Sequence, residues 1–217
     1  MSWGEVFKIN SNMKVPLNKQ LRNIELYRSW LFEASATFTP PVDGVYKVTC
    51  IGAGGAGKNS KGGGAGGVVV GLLKLQSSSS YAITVSKNSS FSNLITATAG
   101  SDGTSSSGGA GGSGSGGTVY NGNTGGSKGG SVGIFIAGAM KDSADADYPG
   151  GMGLYVGHSK VLSGNSSSYT NYSASSGGGC GAGGGSYYAN SNKNSYLTTS
   201  GGDAAVLITL IEEGGEL

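Results

Sequence analysis

The hydrophobic pattern predicts one helix, near the start of the chain, within residues 1–33. The stretch "PLNKQLRNIELYRSWLF" begins at Pro16, a residue that suits the first turn of a helix. Its apolar residues recur at helical spacing, namely Leu17, Leu21, Ile24 and Leu31. We therefore expect a helix over residues 16–32, with the indole of Trp30 adding to its apolar surface.

Segment 1–33 carries more apolar surface than so short an element can bury alone. The residues that we assign to partner docking are Leu17, Leu21, Ile24, Trp30 and Leu31. We expect the segment to dock onto a partner protein or onto another copy of the chain. The alternative is that it folds back onto its own domain.

Residues 34–100 are typical of β-strands rather than helices. The run "SATFTPPVDGVYKVTCIG" has a Pro-Pro-Val-Asp-Gly turn between two β-rich stretches, and "VVVGLLKLQ", "YAITVS" and "FSNLITATAG" continue the pattern. A last strand is predicted at "AAVLITLIEE", residues 204–213. If that strand pairs with the first ones, it closes one domain around the sequence between them.

Residues 101–200 replace the β pattern with glycine at intervals of three. In "GGAGGSGSGGT" this phase holds Gly108, Gly111, Gly114 and Gly117, and "GGGCGAGGG" behaves alike, as does the earlier run "KGGGAGG" at residues 61–67. Three residues per turn is the period of the polyproline II conformation. Several such segments side by side can pair their N–H and C=O groups between neighbours. We therefore predict polyglycine II helices packed through their backbones.

Composition supports this reading and excludes collagen. Glycine accounts for 44 of 217 residues and proline for 4. Collagen is excluded because no sustained Gly-X-Y run occurs. The predicted fold class is therefore mainly β with non-regular structure: an N-terminal helix, a small β-sheet or sandwich, and a polyglycine II sandwich.

Charge gives no sign of a nucleic-acid partner. Segment 1–33 has five basic and three acidic residues, and the remainder has nine of each. A nucleic-acid surface needs a clustered basic patch, which the sequence lacks. No apolar run approaches the 18 or so residues of a membrane span, and "MSWGEVFKINSN" lacks the apolar core of a signal peptide.

Two cysteines, Cys50 and Cys180, lie far apart in the sequence. They form neither a disulfide framework nor a pair with metal-ligand spacing. The favoured interpretation is two buried thiols in a protein that folds in a reducing cytoplasm.

The stretch "IGAGGAGKNSKGGGAGG" contains phosphate-binding spacings, but the chemistry is incomplete. Gly52, Gly54 and Gly57 give G-x-G-x-x-G, and Lys58 ends G-x-x-x-x-G-K. Both motifs place the phosphate at a helix N-terminus, and the glycines that follow disfavour a helix. Asn59 also stands where a magnesium-binding Ser or Thr is needed. We therefore expect no nucleotide and no other cofactor.

Eight of the eleven tyrosines lie in the segments that separate the later glycine runs. They are Tyr120, Tyr148, Tyr155, Tyr169, Tyr172, Tyr187, Tyr188 and Tyr196. Tyr among Ser, Asn and Gly is the composition of antibody binding loops, and tyrosine rings also suit sugars. We expect these segments to carry a receptor site. The alternative is that they are solvated turns of biased composition.

Catalytic and metal-binding candidates are weak by comparison. His158 is the single histidine, so a Ser–His–Asp triad has little support. Asp142, Asp145 and Asp147 are close enough in sequence for calcium, but the closing Glu of a recognised loop is absent. We expect a protein that is not an enzyme, and a solvated acidic turn at the three aspartates.

The order of these elements resembles a known family. "YKVTCIGAGGAG", "GGAGGVVVGLLKL", "YAITVS", "LITATAG" and "GGDAAVLITLI", spanning roughly residues 36–211, are similar to the glycine-rich domain of phage and prophage tail-fibre proteins. They also resemble the adhesins that cap T-even-like tail fibres. "SWGEVFKINSNMKVPLN" looks like the start of small tail-associated proteins of prophages and phage-tail-like bacteriocins.

The resemblance implies an adhesin on a phage tail or phage-tail-like particle that recognises a bacterial surface glycan or surface protein. Segment 1–33 would attach it to a tail-fibre or baseplate protein, and residues 34–217 would form the glycine-rich domain. A second expectation is a purely structural fibre or baseplate component. A third, an ice-binding protein, needs a flat face of small residues, which the tyrosine-rich insertions disfavour.

Overall fold

A computed structural model describes residues 29–58, 61–126, 130, 161–166, 169–175, 181, 187–189, 195–197 and 199–214. Within these residues the chain forms fourteen β-strands and no helix. The strands make two five-stranded antiparallel sheets and two separate hairpins. The prediction of a mainly β protein is therefore confirmed.

The first sheet, sheet I, joins the start of the described chain to its end. Its strands are β1 (Ser29–Phe32), β3 (Gly44–Ile51), β4 (Val68–Leu75), β9 (Thr118–Tyr120) and β14 (Ala205–Glu213). Their order across the sheet is β1-β14-β3-β4-β9. Since β14 pairs with β3, the final strand closes the domain as the sequence predicted.

The second sheet, sheet II, arranges its strands across the sheet in the order in which they occur along the chain. They are β2 (Ala36–Phe38), β5 (Tyr81–Val85), β6 (Ser89–Phe91), β7 (Ile95–Ala97) and β8 (Gly114–Ser115), in that order across the sheet. The turn from β6 to β7 holds Ser92 and Asn93 at φ values of 44° and 58°. Asn tolerates this left-handed region better than most residues, which suits it to a tight turn.

Alternate residues of both sheets pack into one hydrophobic core. Tyr46, Val48 and Cys50 of β3 are fully buried there, beside Phe91 of β6 and Ile95 of β7. Period-two spacing places every second side chain of a strand on the same face, so three positions of β3 reach this core. The core is therefore made by side chains from two facing sheets.

A smaller cluster forms on the opposite face of sheet I, where its strands meet the glycine-rich stretches. Ile51, Val68 and Ala205 are buried there together with Ala65. Ala65 lies within a glycine run, whereas the other three residues are at strand ends. This cluster ties the sheet to the glycine-rich part of the chain.

Two hairpins occupy part of the tyrosine-bearing region. They are β10 (Val161–Ser166) with β11 (Tyr169–Ser175), and β12 (Tyr187–Ala189) with β13 (Ser195–Leu197). Strand β11 contacts β12, and β10 contacts β13, so the two hairpins are neighbours. The sequence predicts loops between glycine runs for these residues, and the structure forms strands instead.

The predicted helix over residues 16–32 is wrong at its C-terminal end. Residues 29–32 form β1 and pair with β14, and their exposure alternates as in a strand. The ring of Trp30 lies 5.2 Å from that of Phe38 and 6.3 Å from that of Tyr46. Pairing with β14 and this aromatic contact outweigh the local helical spacing. The remainder of the predicted helix lies outside the described residues.

Candidate functional site

The glycine-rich stretches run beside one another, and we call this set the glycine lattice. Among the described residues it comprises segments 52–58, 61–67, 98–103, 108–113, 121–126 and 199–203, together with Gly130 and Gly181. Backbone hydrogen bonds, most of them 2.7 to 3.0 Å long, join each segment to its neighbours. Backbone pairing thus continues outside the two sheets.

Hydrogen-bond partners in the lattice change with a period of three residues. Gly64 and Gly67 both donate to segment 98–103, whereas Gly62 and Ala65 both donate to segment 121–126. The same spacing recurs elsewhere in the lattice. Gly52 donates to Gly67 and Gly55 to Gly64, while Gly109 donates to Gly62 and Gly112 to Ala65. Partners in a β-ladder follow the two-residue period of the strand instead. The period of three in the sequence is therefore also the period of the hydrogen bonds.

Segment 61–67 lies at the centre of the lattice. It bonds to segments on several sides, namely 52–58, 98–103, 108–113 and 121–126, and also to Gly130 and Gly181. Residues 62–67 are all buried. A buried N–H or C=O group is costly when it has no hydrogen-bond partner. This segment can be surrounded by other backbone because its N–H and C=O groups find partners in neighbouring segments on several sides.

Glycine is required in this segment because neighbouring backbones approach too closely for a side chain. A Cβ atom at Gly66 would overlap the carbonyl oxygen of Gly52, and one at Gly64 would overlap that of Ala110. By contrast, a Cβ atom at Gly126 would meet no atom within 4 Å. The demand for glycine is therefore set by position in the lattice.

The phosphate-like motif is part of this lattice. The N–H groups of Gly52, Gly55 and Gly57 donate to the carbonyl oxygens of Gly67, Gly64 and Thr199. Amide groups already bonded to protein carbonyls are not directed at an anion, which a phosphate loop requires. The motif therefore has a structural explanation that needs no nucleotide.

Lys58, the lysine of that motif, pairs with a carboxylate of another lattice segment. Its Nζ donates to Oδ2 of Asp102 at 2.7 Å, and the N–H of Ala56 donates to Oδ1 at 2.8 Å. The bond from Lys58, followed by that from Ala56, lowers the pKa of Asp102 below its usual value. Sequence reasoning missed this pair because its members are 44 residues apart.

The candidate receptor tyrosines fall into three groups. Tyr120 lies at the end of β9 in sheet I and is 37% exposed. Five others lie on the hairpins: Tyr169 and Tyr172 on β11, Tyr187 and Tyr188 on β12, and Tyr196 on β13. Tyr188 is the cross-strand partner of Tyr196. Tyr148 and Tyr155 lie outside the described residues.

The docking candidates are only partly within the described residues. Leu31 is 47% exposed on β1, at the edge of sheet I, whereas Trp30 is half-buried against the aromatic core. Leu17, Leu21 and Ile24 lie outside the described residues, as do His158, Cys180 and the three aspartates at 142, 145 and 147. Docking by Leu31 stays a prediction, while Trp30 has a role in the fold.

Cys50 is a buried thiol, as predicted for it. It forms no disulfide, and burial raises the pKa of its thiol from 9.0 to about 12. Its Sγ atom lies 3.8 Å from the carbonyl oxygen of Ile95. The nucleophilic form of cysteine is the thiolate, so this thiol is unreactive at neutral pH.

Among the described residues there is neither a metal-binding cluster nor a membrane-spanning helix. No group of three or more His, Cys, Asp or Glu residues there is arranged to hold a metal ion. In the same residues, no helix has the length and apolar character needed to cross a bilayer.

Comparison with known proteins identifies the family through the region just described. No curated protein matches the chain. A family model described as a glycine-rich domain matches residues 32–215, which include all of β2–β14 and the whole lattice. The match covers most of the chain, so the protein belongs to the glycine-rich domain family.

Proposed function

We propose that the protein is the receptor-binding tip of a phage tail fibre or of a phage-tail-like bacteriocin. In this proposal it recognises a bacterial surface glycan or surface protein without catalysis, and it resides on the tail of the particle. The support is the sequence resemblance to tail-fibre adhesins, together with the arrangement of the tyrosine-bearing hairpins.

The observation that carries the proposal is that the ends of the insertions that contain the hairpins are hydrogen-bonded to the glycine lattice. Gly130 and Gly181, which flank the insertion containing β10 and β11, both bond to segment 61–67. Thr199, which follows the insertion containing β12 and β13, bonds to Gly57 of the neighbouring segment. Insertions held at both ends by a rigid scaffold are a common arrangement for binding loops.

The scaffold itself, in this proposal, is a sandwich of polyglycine II helices. The hydrogen-bond period of three supports this assignment, as does the overlap that a Cβ atom at Gly64 or Gly66 would cause. Such a scaffold would let the hairpins vary in sequence while their ends stay fixed.

Recognition would depend on stacking and neutral hydrogen bonds. Tyrosine supplies a large amphipathic surface at low entropic cost, and the neighbouring Ser and Asn residues supply adaptable hydrogen bonds. Residues 34–217 have equal numbers of acidic and basic side chains. We therefore expect binding to change little with ionic strength.

Attachment to the particle would use the opposite part of the chain, segment 1–33. Leu31, exposed at the edge of sheet I, is the described residue that supports this assignment. Removing residues 1–28 should leave a folded glycine-rich domain that no longer co-purifies with particles. Co-purification of the shortened protein would show that residues 1–28 are not the attachment site.

The direct test of receptor binding is host-cell binding by single Tyr→Ala variants. Tyr188→Ala and Tyr196→Ala are the first choices because the two residues are cross-strand partners. Replacement of a central hot-spot tyrosine by alanine should weaken binding by about 2 kcal/mol or more. Replacement of a tyrosine at the periphery of the site should weaken it much less. Leu94→Ala, which alters an exposed residue in the β6–β7 turn, is the control.

The alternative function, a structural component whose hairpins bind nothing, predicts a different result. Folded Tyr→Ala variants would then bind cells as the parent protein does, or no binding would be seen at all. Binding lost steeply between about 0.01 M and 0.15 M salt would also contradict the proposed recognition mode.

A further inference from the structure

An open cleft of about 460 Å³ lies where the glycine lattice meets sheet II. One wall is lattice segment 53–56 with Asp102, a second is the turn after β5 at residues 85–87, and a third is segment 200–204. Glu33, an exposed residue, also lines the cleft. The volume falls within the range of about 300–1,000 Å³ that is usual for small-molecule sites.

Backbone hydrogen bonds hold two pairs of the cleft walls together. The N–H of Ala53 donates to the carbonyl oxygen of Lys87, and the N–H of Gly54 donates to that of Gly202, both at 2.8 Å. Ser35, two residues after Glu33, donates through Oγ to the carbonyl oxygen of Val85 at 3.2 Å. The cleft is therefore formed by the fold itself, without a need for a ligand to assemble it.

The charged groups of the cleft carry an excess of negative charge. Among the described residues, Glu33, Asp102 and Asp203 line it, with Lys87 as the single lining cation. Lys58 offsets one of the carboxylates through its 2.7 Å bond to Asp102. Glu33 and Asp203 are exposed, so both can accept hydrogen bonds from a ligand.

The lining carboxylates come from three separate segments of the chain: Glu33 directly follows β1, Asp102 lies in the lattice, and Asp203 precedes β14. Among the described residues no set of three acidic, His or Cys groups is arranged to hold a metal ion. Separated acceptors instead suit an extended ligand whose donors are spaced along its length. Val85, Ala53 and Ala56, all half-buried, add apolar surface to the lining.

We propose that this cleft binds a short saccharide with free amino groups. Each amino group would donate charge-assisted hydrogen bonds to a carboxylate, the ring hydroxyls would bond to the remaining polar groups, and the apolar ring faces would contact the alanines and Val85. The proposal goes beyond the proposed function, because the cleft is a site separate from the tyrosine-bearing hairpins.

The test is calorimetric titration of the full chain at about pH 6, where the amino groups of the probe sugar are charged. The probe is the glucosamine disaccharide with both amino groups free, compared with cellobiose, which has hydroxyls in their place. We expect the amino sugar to bind at least about tenfold more tightly, and raised salt to weaken it. Equal affinity for the two sugars, or binding by neither, would overturn the proposal.

Two conservative variants locate the binding site. Asp203→Asn and Glu33→Gln should each weaken binding about threefold, the effect expected of an exposed charge pair. Glu213→Gln is the matched control, because Glu213 is exposed and pairs with Gly44, whereas Asp203 precedes the other end of β14. Unchanged binding in both cleft variants would contradict the assignment.

Cell binding by the same variants separates this proposal from the proposed function. Loss of cell binding in Tyr188→Ala with unchanged disaccharide binding would support two independent sites. Loss of disaccharide binding in Tyr188→Ala, with Asp203→Asn unaffected, would place the saccharide on the hairpins and overturn the cleft proposal.

Discussion

The two sheets and the glycine lattice bury their backbones in different ways. In the sheets, strands pair in one plane and side chains such as Phe91 and Tyr46 fill the space between the planes. In the lattice, segment 61–67 bonds to neighbours on several sides, and the space that side chains would occupy is filled by other backbone. One domain therefore contains a side-chain core and a backbone core.

The difference shows what each region can tolerate. A side-chain core is sensitive to the loss of atoms, because a cavity forfeits both transfer free energy and contacts. A backbone core has no side chain to lose at its glycines and is sensitive to the gain of a single carbon. The two regions should therefore respond in opposite ways to the loss and to the gain of side-chain atoms.

Removal of an aromatic ring from the side-chain core should cause the largest loss of stability. Phe91 is fully buried and stacks on Tyr81 with ring centroids 5.3 Å apart. Phe91→Ala should lower the free energy of unfolding by about 4 kcal/mol, measured by urea denaturation. Leu94→Ala, three residues away and 50% exposed in the parent, should change it by no more than about 0.5 kcal/mol. Equal effects would show that Phe91 is not a core residue.

Addition of one methyl group to the backbone core should cause a loss of stability nearly as large. Gly66→Ala places a Cβ atom against the carbonyl oxygen of Gly52, and neither segment can move without breaking its bonds to others. We expect a loss of about 3 kcal/mol by the same measurement.

The matched control for Gly66→Ala is Gly126→Ala, at a lattice glycine whose Cβ position is open. This variant should be neutral or slightly stabilising, since alanine reduces the entropy of the unfolded chain. If both variants behave alike, the close backbone packing around segment 61–67 is wrong.

A smaller effect should appear at high pH through Cys50. Burial raises the pKa of this thiol in the folded protein to about 12, whereas an unfolded thiol titrates near 9.0. Between these values the unfolded state has lost the proton that the folded state retains. Stability should therefore fall with rising pH, by about 1.4 kcal/mol per unit from this group.

Cys50→Ala removes that contribution while leaving every other titrating group in place. The difference in unfolding free energy between parent and variant should shrink or reverse as pH rises from about 9 to 11. A difference that stays constant over this range would show that the thiol titrates normally in the folded protein.

Much of the side-chain region could be predicted from the sequence. Strands β3, β4, β5 and β14 appear as runs of β-branched and apolar residues bounded by turns. The period of three in the lattice was also visible, because Gly recurs wherever backbones approach closely. What the sequence could not show was which segments are neighbours, since glycine runs carry no side chains that identify their partners.

The errors have physical causes. The run "SWLF" satisfies helical and strand spacing equally, and pairing with β14, which decides the outcome, is remote in sequence. The hairpins β10–β13 are rich in Ser and Asn, which favour turns, so the sequence predicts loops there rather than strands. The acidic cleft combines residues from distant segments, and no local signal marks it.

The most direct test of the account is amide hydrogen exchange at the glycines of the central lattice segment. If segment 61–67 is buried and bonded as described, the amides of Gly64 and Gly67 should exchange as slowly as those of Val48 in β3, measured by NMR. Exchange at the rate of an unstructured peptide, while Val48 stays protected, would contradict the backbone core.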